Sequence, residues 1–339
     1  STKQFPQLSD YSETLMKLLG SPNIASKIWV YGQYDHEVGI RTVTKPGYDA
    51  SVLRLDNGKF LSIKIDGNPK QCYINPREGA IGCFEEACRN VVCTGAKPIG
   101  MLDHLQFGNP NDPEIFWTFL ESLKGLTDFA KDFEIPCVGG KVSLYNETSD
   151  GPIKPTPVIG VIGLIDKKPL KIQKINSGDS LIMIGDTKDE LGGSEYFEYI
   201  HKFIGGKCPA VNFSESKKNM NSVLDIIENE LIKSVHDCSK GGLTIAISEL
   251  CMTNQIGCNV SLEKIPGEKL DSDKILFSES HSRYLVTFEN KNLQKLEETL
   301  KKHGVSYSLI GEFTGDSICF TCDSKPIIDL SVDKAQKTW

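Results

Sequence analysis

The sequence predicts an α/β fold with two domains of similar length. Its 339 residues exceed one ordinary domain, because domains commonly hold roughly 100 to 200 residues. Strand-like apolar runs alternate with helix-like amphipathic runs in both halves, and this alternation is typical of layered sheets and helices. A charged stretch that ends in proline, Lys167–Pro169, interrupts the alternation near the midpoint. We therefore expect one α/β domain over residues 1–168 and a second over residues 169–339.

In the first half, hydrophobic spacing predicts each element in turn. Apolar residues before Gly20 fall on one helical face, and residues 59–65 alternate like a strand that stops at the turn Asp66–Pro69. Pro76 suits the first turn of a helix, and an apolar helical spacing continues from it towards Gly95. The predicted elements are a helix at 9–19, a strand at 59–65, a helix from 76 that ends before 95, a strand at 99–107, a helix at 114–133, and strands at 135–138 and 158–165.

The second half continues the pattern with shorter elements. The predicted elements are a strand at 180–184, a helix at 222–232, a helix that ends at 251, a strand at 283–288, a charged amphipathic helix that ends at 303, and closing strands. Cys319 and Cys322 are the one close pair of cysteines, but they lie in a strand-like stretch without a second pair at zinc-site spacing. Strand packing is therefore favoured over a zinc or redox role.

The composition excludes several classes of protein. Thirty-eight basic and 45 acidic residues give a net charge of −7, and no cluster of Lys and Arg could follow a nucleic-acid backbone. No apolar run approaches the roughly 18 residues of a membrane span, and the polar residues 1–4 lack a signal-peptide core. The eleven cysteines then indicate reduced thiols rather than a disulfide framework. We expect a cytoplasmic protein with no nucleic-acid partner and no membrane segment.

Three glycine-containing segments follow predicted strands and are interpreted as loops: Val138–Ser143, Gly185–Ser194 and Asp237–Leu243. Glycines let backbone N–H groups approach phosphate oxygens, although a single such loop is more often a tight turn, and none has P-loop or dinucleotide-binding spacing. Asp66, Asp103 and Asp237 stand at the ends of elements, and Mg²⁺ on a nucleotide is held through one or two carboxylates. Asp66 and Asp237 are thus candidate metal ligands. Two interpretations of these segments remain open: a magnesium–nucleotide site and ordinary turns.

His236 stands beside Asp237 and is a candidate general base that this aspartate would orient. Adjacent residues of a strand point to opposite faces, however, and this favours a structural histidine. The sequence also lacks the H-E-x-x-H pattern of metalloproteases and the G-x-S-x-G pattern of α/β-hydrolases. It therefore gives no support for a hydrolase of either type.

Several long segments resemble one enzyme family, the large subunit of phosphoribosylformylglycinamidine synthase, and the resemblance spans almost the entire chain. The segments that carry it are 23–43 (NIASKIWVYGQYDHEVGIRTV), 66–69 (DGNP), 89–98 (RNVVCTGAKP), 107–113, 138–148 (VGGKVSLYNET), 191–196 (LGGSEY), 236–243 and 276–283 (LFSESHSR). The family's small-type subunit consists of two homologous halves. This chain resembles the second half alone.

The resemblance implies a fold of the aminoimidazole ribonucleotide synthetase type. In that fold an N-terminal α/β domain forms a barrel with the other half, and a C-terminal α/β domain follows. The implied activity is an ATP- and Mg²⁺-dependent ligase of purine synthesis, which converts formylglycinamide ribonucleotide and ammonia to the amidine. The implied partners are the first half of the same large subunit, a glutaminase subunit and a small bridging subunit.

The resemblance also assigns site residues. Asp103 and Gly140 match residues that contact ATP, and Ser143 matches a serine that contacts the ribonucleotide substrate. Lys141 stands where the family has an asparagine that reaches magnesium. Because a charged ammonium has no lone pair for a metal, Lys141 is either a direct phosphate contact or a solvated loop lysine. By analogy with the pseudo-symmetric site of the family's large form, the resemblance also suggests that Asp237 and the remaining glycines hold a second, non-catalytic nucleotide.

The family's catalytic histidine and its E-T-H-N-H-P type motif have no counterpart at residues 19–27 or 66–69. We therefore expect no catalytic residue in this chain and place those groups in the first half. Two alternatives remain open. One is a non-catalytic nucleotide-binding or assembly half. The other is a free-standing homodimeric enzyme of the superfamily that includes selenophosphate synthetase and thiamine-monophosphate kinase, against which the missing histidines argue.

Overall fold

The computed structural model describes Phe5 and residues 10–339. The polar start at residues 1–4 and the predicted helix start at Ser9 lie outside the described residues. The first helix is otherwise as predicted, since the Asp10 side chain accepts a hydrogen bond from the Glu13 amide at 2.9 Å and Gly20 follows its last turn. Among the described residues, no helix is long and apolar enough to cross a membrane.

The first half contains a six-stranded sheet with helices on one face. Its elements are α1 Tyr11–Leu19, α2 Ile28–Tyr31, β1 Thr42–Thr44, β2 Ser51–Arg54, β3 Phe60–Asp66, α3 Pro69–Ile74, α4 Pro76–Val92, β4 Lys97–Gln106, α5 Pro113–Phe133, β5 Cys137–Ser143, β6 Glu147–Thr148, β7 Gly151–Pro152 and β8 Thr156–Ile165. The strand order is β1-β2-β3-β8-β4-β5. β4 and β5 are parallel and joined by α5, which confirms the predicted βαβ unit.

The segment at Val138–Ser143 corrects the sequence interpretation, because it is a strand and not a loop. Gly139 and Gly140 lie inside β5 and pair with β4 in register. Neither glycine has a positive φ, so both serve as extended residues of an edge strand. The predicted strand at 135–138 and the predicted glycine loop are therefore one element.

Two helix starts differ from the prediction where an asparagine side chain caps the first turn. The turn at Asp66–Pro69 leads directly into α3, because the Asn68 side chain accepts a hydrogen bond from the Gln71 amide at 3.2 Å and Pro69 occupies the first turn. The helix predicted at 222–232 runs instead over Phe213–Glu228, again after an asparagine cap.

The second half contains a seven-stranded sheet. Its elements are β9 Ser180–Ile184, α6 Phe213–Glu228, β10 Ser234–Asp237, α7 Gly242–Asn254, β11 Cys258–Ser261, α8 Ser272–Phe277, β12 Tyr284–Phe288, α9 Leu293–His303, β13 Tyr307–Phe313, β14 Ser317–Cys322, β15 Lys325–Ser331 and α10 Val332–Thr338. The strand order is β10-β12-β9-β13-β11-β14-β15. Cys319 and Cys322 lie in β14, as their strand-like context predicted.

Two apolar clusters lie on the two faces of the seven-stranded sheet. Along β9, Ile182 and Ile184 belong to a cluster shared with α4, α6, α9 and the six-stranded sheet. Leu181 and Met183 belong to a cluster shared with α1, α7 and α10. This alternation explains why every residue of β9 is buried. It also places α1 against the second sheet, while the division at residue 168 stays a prediction.

The six-stranded sheet, by contrast, has one covered face and one open face. β8 alternates between fully buried residues and partly exposed residues along its length, as a sheet with helices on one side requires. Large apolar side chains on other strands of this sheet are exposed, among them Ile65 (66%) on β3 and Val138 (58%) on β5. The described part of the chain therefore leaves an apolar sheet face without a partner.

Candidate functional site

The first candidate site lies on the two strands at the β5 edge of the six-stranded sheet. The parallel register places Asp103 of β4 beside Gly140 of β5. A Cβ on residue 140 would collide with Asp103 Oδ1, so a side chain at this position would displace the carboxylate. Cys137 Sγ lies 3.7 Å from Asp103 Oδ2. The structure thus brings together, at a partly exposed edge, the two residues predicted to contact ATP.

Lys141 and Ser143 lie on the same strand but face the opposite side of the sheet. They pair in register with His104 and Gln106, and successive strand residues point to alternate faces. Asn146 Nδ2 donates to Ser143 Oγ at 3.2 Å and to the Ser143 carbonyl at 2.9 Å, while the Lys141 side chain is exposed. The predicted substrate and phosphate contacts are therefore separated from the predicted ATP pair by the sheet itself.

A second candidate site is a charged seam, formed by buried and partly buried groups between β3, α4, β10 and the turn after β10. We define it as Lys64, Asp66, Glu86, Arg89, Asn90, Asp237 and Lys240. Lys64 and Asp66 share one face of β3 because they are two residues apart. Lys64 Nζ donates to Asn90 Oδ1 at 3.0 Å. Asp66 Oδ1 accepts a hydrogen bond from the Gly67 amide at 2.6 Å and lies 3.5 Å from Lys240 Nζ.

Asp237 enters the charged seam from β10. Its Oδ2 accepts hydrogen bonds from Arg89 Nη2 at 3.1 Å and from Asn90 Nδ2 at 3.2 Å. Arg89 is completely buried and also pairs with Glu85, and its Nη2 lies 4.0 Å from Glu86 Oε2. Glu86, Arg89 and Asn90 share one side of α4 because helix residues three or four apart are neighbours.

The seam shifts the pKa values of its members in opposite directions. Burial raises the pKa of Glu86 well above its ordinary value, and the nearby Asp66 adds to the rise. Burial opposes ionisation of Asp66 as well, but Lys240 and Lys64 lower its pKa. Burial would lower the pKa of Lys64, yet the surrounding carboxylates, Asp66 first, raise it. The lysines and Asp66 are therefore charged at neutral pH, and Glu86 is the carboxyl group of the seam that most resists ionisation.

His236 is held by residues that the sequence did not indicate. Its Nδ1 lies 2.8 Å from Asp49 Oδ1, and its Nε2 lies 3.0 Å from Glu249 Oε2. Burial alone would lower the pKa of His236, but Asp49 and Glu249 raise it well above its ordinary value. Asp237 does not orient the ring, because its carboxylate turns to Arg89. A carboxylate oxygen lies at each ring nitrogen, and the ring can donate from both nitrogens only as an imidazolium. In this form His236 links Asp49, just before β2, to α7.

Asp49, His236 and Asp237 form the one group of potential metal-ligating side chains found among the described residues, with the donor atoms within 4.8 Å of one another. An imidazolium with both ring nitrogens directed at carboxylates has no lone pair for a metal. The protonated ring is itself the cation of this group.

The glycine turn at Asp237–Leu243 is a true turn, unlike the segment in β5. Gly241 and Gly242 have φ values of 78° and 71°, and α7 begins there. The Gly241 amide donates a hydrogen bond to Glu279 Oε1 at 2.8 Å. At other helix starts such an amide can donate to a bound phosphate. Glu279 Oε1 also accepts from the Glu195 amide at 2.8 Å. A carboxylate of the protein therefore takes the position of an anion at this helix start.

The segment Gly185–Ser194 is a packing turn. A Cβ on Gly192 would collide with the Lys207 carbonyl, and a Cβ on Gly193 would lie 3.1 Å from the Gln71 amide nitrogen. These glycines allow close contact between backbone segments. Their neighbours are protein atoms rather than an open cradle.

Asp66 and Asp237, predicted as tentative magnesium ligands, lie in the same seam but do not fit a divalent metal as they stand. Asp66 faces Lys240, and Asp237 is bound by Arg89 and Asn90. Magnesium prefers oxygen ligands in octahedral geometry, whereas ammonium and guanidinium groups occupy the neighbourhood of these oxygens.

Sequence reasoning missed several members of the seam. The alternation of Lys64 with Asp66 and the spacing of Glu86, Arg89 and Asn90 were available as signals of one charged face on a strand and on a helix. Asp49, which lies outside the seam, gave no such signal. It is 187 positions from its partner His236, and only tertiary packing joins them.

Comparison with protein families identifies both halves of the chain. Residues 47–165 match the AIR synthase related protein N-terminal domain, and residues 176–320 match the AIR synthase related protein C-terminal domain. Together the two matches cover more than three quarters of the chain.

Similar curated proteins carry the name phosphoribosylformylglycinamidine synthase subunit PurL. The chain is 39% identical over 340 residues to that of Alkaliphilus metalliredigens, covering 99% of the chain and 46% of the relative. It is 42% identical over 340 residues to that of Methanocaldococcus jannaschii, and this match covers 97% of the chain and 46% of the relative. The chain therefore spans about half the length of the curated relatives it matches.

A similar solved structure is Thermotoga maritima PurL complexed with FGAR, with a TM-score of 0.79 at 18% identity over 96% of this chain and 53% of that one. The same protein complexed with ATP gives a TM-score of 0.75 at 18% identity, and the match covers 96% of this chain and 51% of that one. At this identity the likeness establishes the fold, and it confirms the predicted two-domain α/β architecture.

Proposed function

The chain belongs to the family of AIR synthase related proteins, and on that premise we propose that it is the second half of a phosphoribosylformylglycinamidine synthase large subunit. The observation that carries the proposal is an identity of 39% and 42% to two PurL subunits over nearly the whole chain. Such long, ordered identity is more specific than any single glycine turn in the sequence.

The proposed reaction joins nitrogen to carbon at the expense of ATP. The γ-phosphoryl group passes to the amide oxygen of formylglycinamide ribonucleotide and ADP leaves. Ammonia then adds to the activated carbon, and inorganic phosphate departs to leave the amidine. Positioning and electrostatic stabilisation dominate phosphoryl transfer. We assign positioning of ATP to Asp103 and the Gly140 backbone, contact with the ribonucleotide to Ser143, and a phosphate contact to Lys141.

The groups that transfer protons and hold magnesium belong, in this proposal, to the other half of the subunit. The chain lacks the family's histidine motifs at residues 19–27 and 66–69, and Asp66 already faces Lys240 at 3.5 Å.

The proposed partner of this chain is the first half, with a glutaminase and a bridging subunit beyond it. The open apolar face of the six-stranded sheet supports this partnership, because exposed groups such as Ile65 and Val138 are costly to leave in water. The free edge of β5 offers unpaired backbone groups as well. Of the alternatives, an assembly half would use the same face without using Ser143, and a homodimer would place two copies on it.

Reconstitution tests the proposal. We expect the chain mixed with a separately produced first half to form the amidine in an ATP-dependent reaction supplied with ammonia. The matched control uses the Asp103→Asn chain, which keeps the size of the side chain but removes its charge. Activity that is present with both chains equally would favour the assembly role, and activity of the chain without a first half would favour the homodimer.

A further inference from the structure

The charged seam holds three basic side chains, Lys64, Arg89 and Lys240, beside its two buried aspartates. Lys64 extends from β3 towards α4, and its Nζ lies 3.0 Å from Asn90 Oδ1. Asn90 in turn donates to Asp237 Oδ2 at 3.2 Å. The Asn90 side-chain amide therefore links the Lys64 ammonium group to the Asp237 carboxylate, whose charge this ammonium helps to neutralise.

Each carboxylate at the two ends of the seam has a cation of its own. Lys240 Nζ lies 3.5 Å from Asp66 Oδ1 and donates to the Gly67 carbonyl at 3.2 Å. Arg89 Nη2 donates to Asp237 Oδ2 at 3.1 Å. Both carboxylate side chains are more than nine-tenths buried.

Buried carboxylates are stable only with compensating charge and hydrogen bonds. A divalent cation and a pair of basic side chains are two ways to supply that charge, and they compete for the same oxygens. Lysine ammonium groups donate hydrogen bonds but cannot act as metal ligands while charged. A seam already filled by such groups gains little from a metal and would have to expel a lysine to bind one.

We infer that Lys64 and Lys240 take the place of a divalent cation in the charged seam, so that this half of the protein holds Asp66 and Asp237 together without a metal. The inference concerns the charges of this chain alone. It does not depend on the ligase reaction proposed above, in which magnesium belongs to the other half.

The test measures Mn²⁺ binding to the purified chain by electron paramagnetic resonance, with Mg²⁺ as competitor. Wild type is expected to leave added Mn²⁺ free in solution. Lys64→Met removes the central ammonium at similar side-chain length. It is expected to tighten Mn²⁺ binding by about tenfold or more, since a positive charge that acts on both aspartates is removed. The further change Asp66→Asn is expected to abolish the gained site.

Matched controls separate this effect from a general change in charge. Lys59→Met removes a lysine just before the same strand, whose ammonium pairs with Asp166 at the surface, and is expected to bind no Mn²⁺. Lys240→Met serves as a second test if Lys64→Met does not fold. The Lys240 side chain is 31% exposed, so its replacement is expected to disturb packing less.

Three outcomes would overturn the inference. The first is stoichiometric Mn²⁺ binding by wild type that Asp66→Asn abolishes. The second is the absence of any gain in Mn²⁺ binding in the folded lysine variants. The third is an equal gain in Lys59→Met, which would show that net charge alone governs binding.

Discussion

At the scale of single residues, the position of Asp103 requires that residue 140 be a glycine. A Cβ at this position would collide with Asp103 Oδ1, whereas a Cβ on Gly139 would lie 3.6 Å from Leu102 Cδ2. We expect Gly140→Ala to displace the Asp103 carboxylate and so to weaken ATP binding in the two-half enzyme by about 1 to 3 kcal/mol, the usual cost of leaving a polar group without its partner. Isothermal titration of ATP measures the change. Gly139→Ala is the matched control, and equal ATP affinity in both variants would contradict the assigned role of Asp103.

Ser143 and Lys141 test the opposite face of the same strand. Ser143→Ala should cost about 1 to 3 kcal/mol of ribonucleotide binding, because a buried polar group of the ligand loses its partner. Lys141→Ala should weaken phosphate affinity, and Lys141→Asn should be tolerated better. Binding constants in the reconstituted enzyme measure these effects. If both alanine variants bind normally with the fold intact, β5 does not face the substrate.

His236 should make stability depend on pH. Asp49 and Glu249 raise its pKa in the folded chain, so the stability it supplies is complete below its unfolded-state pKa of about 6.5. That stability is lost as the pH rises through the higher folded-state pKa. Urea unfolding from pH 6 to pH 9 should therefore show a falling free energy of unfolding in wild type and a flatter profile in His236→Gln. Parallel profiles would contradict an imidazolium at this position.

At the scale of elements, the open face of the six-stranded sheet determines how the chain associates. Ile65 and Leu102 expose 66% and 41% of their surface on β3 and β4, and apolar patches of this kind mark interaction surfaces. We expect light scattering at tens of micromolar, roughly where weak interfaces saturate, to show self-association of the isolated chain. Ile65→Asp combined with Leu102→Asp should yield monomers.

The control for this prediction is Ile172→Asp, which changes an apolar side chain of similar exposure, 42%, in the connection between the sheets. It should leave association unchanged. A strict monomer in wild type would count against a shared sheet face.

At the scale of the whole molecule, the chain is expected to be inactive by itself. No synthase activity with ammonia is predicted at any practical concentration, because the proton-transferring histidine and the magnesium carboxylates are assigned to the other half. Amidine formation by the purified chain above the buffer blank would contradict this assignment. Addition of the first half provides the positive control.

The sequence by itself determined most of the secondary structure and the family. Hydrophobic period distinguished β9 from α5 because strand and helix repeats differ, and long ordered segments indicated the two-domain fold. It failed for Val138–Ser143, because two glycines suit an edge strand as well as a loop and only pairing with β4 decides between them.

Only the tertiary structure decided the electrostatics of the site. From the sequence, Asp66 and Asp237 were interpreted as free carboxylates available to a metal. Packing instead brings Lys240 to Asp66 and Arg89 to Asp237. Similarly, Asp49 meets His236 across 187 positions. Charge interactions depend on distance and burial in space, and sequence spacing reports these only within one strand or one helix. The seam is therefore a property of how α4 and β3 pack against β10.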